Sequence, residues 1–309
     1  MKRLVIDTDP GLDDALAILE AYAHPDTRIE AITTVAGNVG LDKTTANALK
    51  ILEILEADDI PVYPGADGAL VERVPDASDV HGNDGLGNAN LPASTRSPEN
   101  EHAALALIRL ANENPQELDL IAIGPLTNLA LATRLDPDLP NKYKGLVIMG
   151  GTIYGQGNTK NTTAEFNVYA DPEAASIVID TWKDLTMVSW ETTMAHGFTL
   201  DEHRKLLNYD NPRSAFMKKI TKNLYSFLLE KFKREEVYAA DPLAMSVCLE
   251  PDIVIKAGKY PVHVERMGRA SRGMTVVDWQ NLAGKEPNVN IVLEVDKGRF
   301  YNLMHEAVS

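Results

Sequence analysis

Short, continuous apolar runs separated by amphipathic stretches fill the first half of the chain. Lys2 to Asp7, with Leu4-Val5-Ile6 at its centre, reads as a strand buried on both faces. Asp13 to Ala23 places Leu16, Leu19, Tyr22 and Ala23 near one face, which predicts a helix. The alternation continues with a strand over Ile29 to Ala36, a helix through Leu49, Leu52 and Leu55, and a strand over Ile60 to Tyr63. After a long polar stretch come a helix from Ala103 to Leu110, a strand from Leu118 to Ile123, a helix from Pro125 and a strand from Leu146 to Met149. Uniformly apolar strands divided by helices specify an α/β fold, an open and mostly parallel sheet flanked by helices. Such sheets bind ligands beyond the carboxyl ends of their strands. The first strand runs out at Asp7, the second at Gly37-Asn38, and later ones at Gly124 and Gly150-Gly151, so these tips should share one rim.

The second half is patterned differently. Leu185 to Trp190 reads as another strand, and Pro212 to Lys233 as one long helix or a bent pair. Ile253 to Ile255, Pro261 to Glu265, Met274 to Asp278 and Val289 to Val295 are short and strand-like, which predicts a small, partly antiparallel C-terminal part before a final helix. No repeat or linker interrupts the chain, so residues 1–309 are expected to form a single domain. Two stretches rich in Gly, Pro, Asn and Asp, from Asp67 to Asn100 and from Gly150 to Asn161, are long enough to be functional loops.

Chemistry concentrates where the first strand gives way to the first helix. Asp7, Asp9, Asp13 and Asp14 put four carboxylates within eight residues. Like charges about 4 Å apart repel by ~1 kcal/mol in water, and by several times that where half buried. A cation among them, or a proton on one, relieves this crowding. Carboxylate ligands alone favour a hard ion such as Ca²⁺ or Mg²⁺. A helix cap accounts for Asp13 or Asp14, but not for Asp7 and Asp9 as well.

Other candidates are weaker one by one. His81 lies among glycines in the first long loop, where it could cover a pocket or simply be solvated. Glu165 and Asn167 would point to one side if Phe166 lay in an extended segment. Asp241-Pro242 opens a helix as an N-cap or as a further oxygen ligand. Gly124-Pro125-Leu126-Thr127-Asn128 reads as a strand-to-helix turn, where a backbone carbonyl is free to meet a cation. His196 follows a strand and stays open as a site residue, whereas His24, His102, His203, His263 and His305 look structural.

Composition narrows the classes. A net charge of −15 argues against a nucleic-acid partner. Cys248 is the one cysteine, which fits a reducing compartment, and its apolar surroundings suggest packing rather than reactivity. No apolar run approaches the length of a membrane span, and the chain enters its first strand at once, so a cytoplasmic location is expected.

The run Asp7-Thr8-Asp9-Pro10-Gly11-Leu12-Asp13-Asp14-Ala15 resembles the signature of the inosine–uridine preferring nucleoside hydrolases. So do Thr33-Thr34-Val35-Ala36-Gly37-Asn38, His81-Gly82, Gly124-Pro125-Leu126-Thr127-Asn128 and Met149-Gly150-Gly151, and then Ala164-Glu165-Phe166-Asn167, Asp171-Pro172-Glu173-Ala174-Ala175 and Asp241-Pro242. These blocks occur in family order over nearly the whole chain. The resemblance implies a glycosidase that binds one Ca²⁺ and hydrolyses the N-glycosidic bond of a ribonucleoside to ribose and free base. It also implies a role in purine or pyrimidine salvage and a homodimer or homotetramer. By position, Asp9, Asp14 and Asp241 match side-chain calcium ligands, with the carbonyl of Ile123 as a backbone ligand. Asp9 also matches the residue that deprotonates the attacking water, with Asp7 as its support and Asn38 as a partner of that water or of the ribose. Asp13 and Asn167 match contacts to the 2′ and 3′ hydroxyls, and Glu165 a contact to the 5′ hydroxyl. Asn158 matches a second 5′ contact, one residue further from Glu165 than the family spacing.

One departure stands out. The histidine that better-known members place before the last ligand, as acid for the departing base, is Ala240 here. His81, Tyr238, His196 and Glu191 are candidate substitutes, and stacking on Trp190 or Tyr225 is another route to activation. Two alternatives compete. A Mg²⁺-dependent phosphohydrolase of the haloacid-dehalogenase type would use Asp7 and Asp9, but its later lysine and acid pair are missing. A nucleoside- or ribose-binding protein with little turnover would keep the acidic cage and tolerate Ala240.

Overall fold

A computed structural model describes every residue except Phe232. The first half forms β1 (Lys2–Thr8), α1 (Leu12–Ala23), β2 (Thr27–Thr34), α2 (Leu41–Ile54), β3 (Val62–Pro64), α3 (Ser78–His81), α4 (Ala103–Glu113), β4 (Leu118–Ala122), α5 (Thr127–Leu135) and β5 (Gly145–Met149). Then follow α6 (Phe166–Ala170), α7 (Pro172–Thr181), β6 (Leu185–Val188), α8 (Trp190–Ala195), β7 (Phe198–Thr199), α9 (Leu200–Leu206), α10 (Pro212–Ile220) and α11 (Leu224–Lys231). The chain ends with β8 (Glu236–Val237), α12 (Ala240–Leu249), β9 (Val254–Tyr260), β10 (Val262–Val264), β11 (Thr275–Val277), β12 (Val289–Val295) and α13 (Lys297–Val308).

Eight strands form the central sheet in the order β3-β2-β1-β4-β5-β6-β12-β9. Every neighbouring pair is parallel except β12 with β9. The strand order reverses between β1 and β4, where an open α/β sheet leaves its ligand crevice. Successive residues of β1 enter different cores. Leu4 and Ile6 pack with α1, α12 and α13, whereas Val5 packs with α4, α5 and α7. Burial on both faces explains why the strands read as unbroken apolar runs. Every residue of α12 is buried, Cys248 included, as an apolar helix should be.

Several expectations change. The C-terminal part is partly antiparallel, as expected, but it joins the main sheet: β12 extends that sheet parallel to β6, and β9 closes its edge antiparallel to β12. β10 and β11 form a separate antiparallel hairpin, and β7 and β8 another two-stranded antiparallel pair. Of the two alternatives for the stretch from Pro212, the structure has the pair of helices, α10 and α11. The strand expected through Trp190 stops at Val188, because the Ser189 hydroxyl accepts the Thr192 N–H and starts α8. His81 lies in the short helix α3 rather than in open loop. No helix among the described residues is long and apolar enough to cross a membrane.

Candidate active site

The predicted rim forms at the carboxyl ends of β1, β2, β4 and β5. Asp7 lies within β1, and Asp9 just beyond it. The Asp7 Oδ1 atom accepts from the Thr33 hydroxyl at 2.5 Å and from Asn128 Nδ2 at 2.8 Å, while its Oδ2 has no partner among the described residues. Burial pushes its carboxyl up to about 7.

Asp9 is 1% exposed. Its Oδ2 accepts the Asn38 N–H at 2.7 Å, and its Oδ1 is buried without a partner among the described residues. Two glycines make room for this carboxylate. A Cβ at Gly37 would lie 2.1 Å from Oδ2, and one at Gly124 would lie 2.6 Å from Oδ1. Burial, then the nearby charge of Asp14, raise the Asp9 pKa well above the usual carboxylate range.

Neither Asp13 nor Asp14 is the cap of α1. Gly11 occupies the cap position, and Asp14 accepts its N–H at 2.8 Å. Asp14 also accepts from the Thr8 hydroxyl at 2.5 Å and from Asn38 Nδ2 at 3.0 Å. Asn38 thus ties Asp9 to Asp14. Asp241 sits in the first turn of α12, whose cap is Ala239. One carboxylate oxygen from each of Asp13, Asp14 and Asp241 can be chosen so that the three lie within 4.8 Å of one another. Asp9 is outside that trio, although its charge acts on Asp241. Burial and mutual repulsion raise Asp241 strongly, and burial raises Asp13 to about 6. Acids crowded this closely, with an unpaired buried oxygen beside them, are the donor set that a hard divalent cation would relieve.

Glu165 and Asn167 meet the site, though not by strand alternation. Glu165 caps α6 and accepts from Asn167 N at 2.8 Å, Val168 N at 3.2 Å and Gly151 N at 2.9 Å. Burial lifts its carboxyl to about 7. Asn167 Nδ2 donates to the Ile123 carbonyl at 3.0 Å and to the Met149 carbonyl at 3.1 Å, so β4, β5 and α6 converge on one amide. Asn158 is exposed in the loop after β5, and its N–H is held by the Ala164 carbonyl at 3.2 Å.

The candidates for the missing acid separate clearly. His81 Nδ1 accepts the Leu12 N–H at 3.1 Å and lies 4.0 Å from Asp13 Oδ1. Burial lowers its pKa to about 4, so the ring is neutral near pH 7 and its Nε2–H is the remaining donor. His196 is a structural bracket: Nδ1 meets the Thr192 carbonyl at 2.7 Å, and Nε2 accepts the Val295 N–H at 3.1 Å. Both Glu191 oxygens accept backbone N–H groups of residues 153–156, so this side chain supports the loop. Tyr238 contacts Trp190 edge-on with ring centroids 5.6 Å apart, and its hydroxyl donates to Glu236. Tyr225 bonds His203 through its hydroxyl and lies under Arg204.

Two contributors escaped the sequence reading. Thr8, inside the acidic motif, is a direct partner of Asp14. Asn47, an unremarkable position of α2, donates to the carbonyls of Pro10 and Asp84 and fastens the acidic turn to the first long loop. Only the spacing around Thr8 could have flagged either.

The family model of the inosine-uridine preferring nucleoside hydrolases matches residues 4–302. The pyrimidine-specific ribonucleoside hydrolase RihA of Salmonella arizonae is 36% identical over 308 residues, covering 98% of this chain and 97% of that one. Among solved structures, an inosine-guanosine nucleoside hydrolase superposes with a TM-score of 0.92 at 36% identity, over 99% of this chain and 98% of that one. The plant nucleoside hydrolase PpNRh1 gives a TM-score of 0.92 at 33% identity with the same coverage. With the motif blocks gathered at the switch point of a parallel sheet, the chain belongs to the inosine–uridine preferring nucleoside hydrolases and is a ribonucleoside hydrolase, an enzyme that cleaves an N-glycosidic bond.

Proposed function

We propose that this enzyme hydrolyses ribonucleosides in a calcium-dependent reaction, with Asp9 as the base that activates water. The observation that carries this is the buried Oδ1 of Asp9, without a partner among the described residues and under the charge of Asp13 and Asp14, which cluster with Asp241. Asp9, Asp14 and Asp241 would hold the ion together with the Ile123 carbonyl, and the all-oxygen set favours Ca²⁺. When bound, the ion neutralises the acids and makes nearby water more acidic. Asp9 then takes a proton from the attacking water on Oδ1, while Asn38 keeps Oδ2 occupied and the carboxylate fixed. Asp13 and Asn167 hold the 2′ and 3′ hydroxyls, and Glu165 and Asn158 the 5′ hydroxyl. Cleavage passes through a cationic, oxocarbenium-like ribosyl group, which a dense acidic pocket stabilises.

Ala240 offers no proton to the leaving base. His81 supplies a neutral N–H donor in its place, and Trp190 an aromatic face at the same rim. The protein acts in small-molecule salvage as a cytoplasmic homo-oligomer. A panel of inosine, uridine, adenosine and cytidine, scored for free ribose with and without a calcium chelator, tests the proposal. Ribose release that survives complete removal of calcium overturns the metal dependence.

A further inference from the structure

At the start of the loop after β5, side chains accept the N–H groups of residues 151–154 and 156. Gly151 N–H goes to Glu165 Oε2 at 2.9 Å, and Thr152 N–H to Thr275 Oγ1 at 2.7 Å. The next three contacts converge on one carboxylate. Ile153 N–H reaches Glu191 Oε2 at 2.8 Å, and the N–H groups of Tyr154 and Gln156 reach Glu191 Oε1 at 2.8 and 3.1 Å. Glu191 is buried in the first turn of α8, and its neighbour Trp190 donates its own N–H to the Gly151 carbonyl at 3.0 Å. The loop and the start of α8 are therefore fastened in both directions.

A carboxylate suits this role because it is purely an acceptor and offers about four lone-pair sites. Charge assistance also makes each bond stronger than a neutral one. A glutamine would present an NH₂ where one oxygen now accepts, setting donor against donor. Two residues beyond Gln156 lies Asn158, whose N–H goes to the Ala164 carbonyl at 3.2 Å, while the N–H of the intervening Gly157 goes to the Thr162 carbonyl at 2.8 Å. Its position is thus set from one side by residues 162–164, which lead into Glu165 and its cap, and from the other by the segment that Glu191 holds.

We infer that Glu191 is a positioning residue for the sugar, holding residues 153–156 so that Asn158 meets the 5′ hydroxyl of the nucleoside. This rests on the proposed contact between Asn158 and that hydroxyl. It assigns Glu191 to substrate placement and removes it from proton transfer.

The test compares wild type, Glu191→Gln and Asn158→Ala on uridine and 5′-deoxyuridine, with amide hydrogen exchange across residues 150–160 in the free enzymes. Glu191→Gln should exchange faster at 153–156, raise KM for uridine about tenfold and leave kcat within about threefold. The preference for uridine over 5′-deoxyuridine should shrink in both variants, with little further loss in the double variant. Unchanged exchange in Glu191→Gln, whatever the kinetics, overturns the role of Glu191. Faster exchange with an unchanged KM and an unchanged 5′ preference overturns the link to substrate. A kcat loss at constant KM, with one limb missing from the pH profile, would return Glu191 to proton transfer. A wild-type enzyme indifferent to the 5′ hydroxyl overturns the Asn158 contact instead, and the exchange data then report the loop alone.

Discussion

The backbone N–H of Asn38 meets Asp9 Oδ2 at 2.7 Å, and the same carboxylate's Oδ1 is buried with no partner among the described residues. One oxygen is anchored and the other left free. An unpaired buried carboxylate oxygen is costly, and a proton or a cation relieves that cost.

The first expectation concerns the ion. Asp14→Ala removes one carboxylate and leaves the others without their shared counter-charge, so affinity should collapse rather than halve. Calorimetry should find no stoichiometric Ca²⁺ binding to Asp14→Ala, while circular dichroism shows a folded chain. Parent-like binding would mean that the ion site is elsewhere.

Sugar recognition provides the second. A pocket that bonds a hydroxyl is left with unpaired buried polar groups when that hydroxyl is missing. With Asp13 and Asn167 at the 2′ and 3′ positions, 2′-deoxyuridine should fall below uridine by up to about 10⁴-fold in kcat/KM. Comparable values for the two substrates would refute the assignment.

His81 is tested through the leaving group. If its N–H assists the departing base, His81→Ala should slow inosine and uridine by about 10²-fold, at the low end for such assistance. The same variant should barely affect p-nitrophenyl riboside, because nitrophenolate leaves without help. Equal losses on both substrates would instead point to a role in binding. No loss on either would leave Tyr238 as the remaining candidate from the original four.

A further expectation lies outside the site. Glu20 of α1 is buried against α12, where Oε1 accepts from the Ser246 hydroxyl and Oε2 has no partner among the described residues. Burial raises its pKa well above 4.5. The native state therefore holds this proton more tightly than the unfolded chain does, and the contribution to stability is lost as pH rises through the native value. Glu20→Gln, which keeps an acceptor for Ser246, should melt higher than wild type at pH 8, by about 1.5 °C for each kcal/mol in a chain of this length. The gap should close towards pH 5. A constant difference across that range would show that Glu20 does not titrate there.

Much of this protein was legible along the chain. Continuous apolar strands spell out a parallel sheet, and Asp7, Asp9, Asp13 and Asp14 announce an acidic site at the end of the first strand, because both signals lie within a few consecutive residues. The ordered motif blocks carried the family as well, and with it an enzyme rather than a binding protein or a phosphohydrolase. Tertiary structure decided what each isolated polar residue does. His196 was open as a site residue until Val295, 99 positions away, proved to be its partner. Glu191 was a possible acid until three loop N–H groups took both of its oxygens. Glu165 and Asn167 reach the rim through a helix cap that alternation did not anticipate. A polar side chain's role depends on which donors and acceptors surround it after folding, and those come from strands and loops that the local pattern cannot bring together.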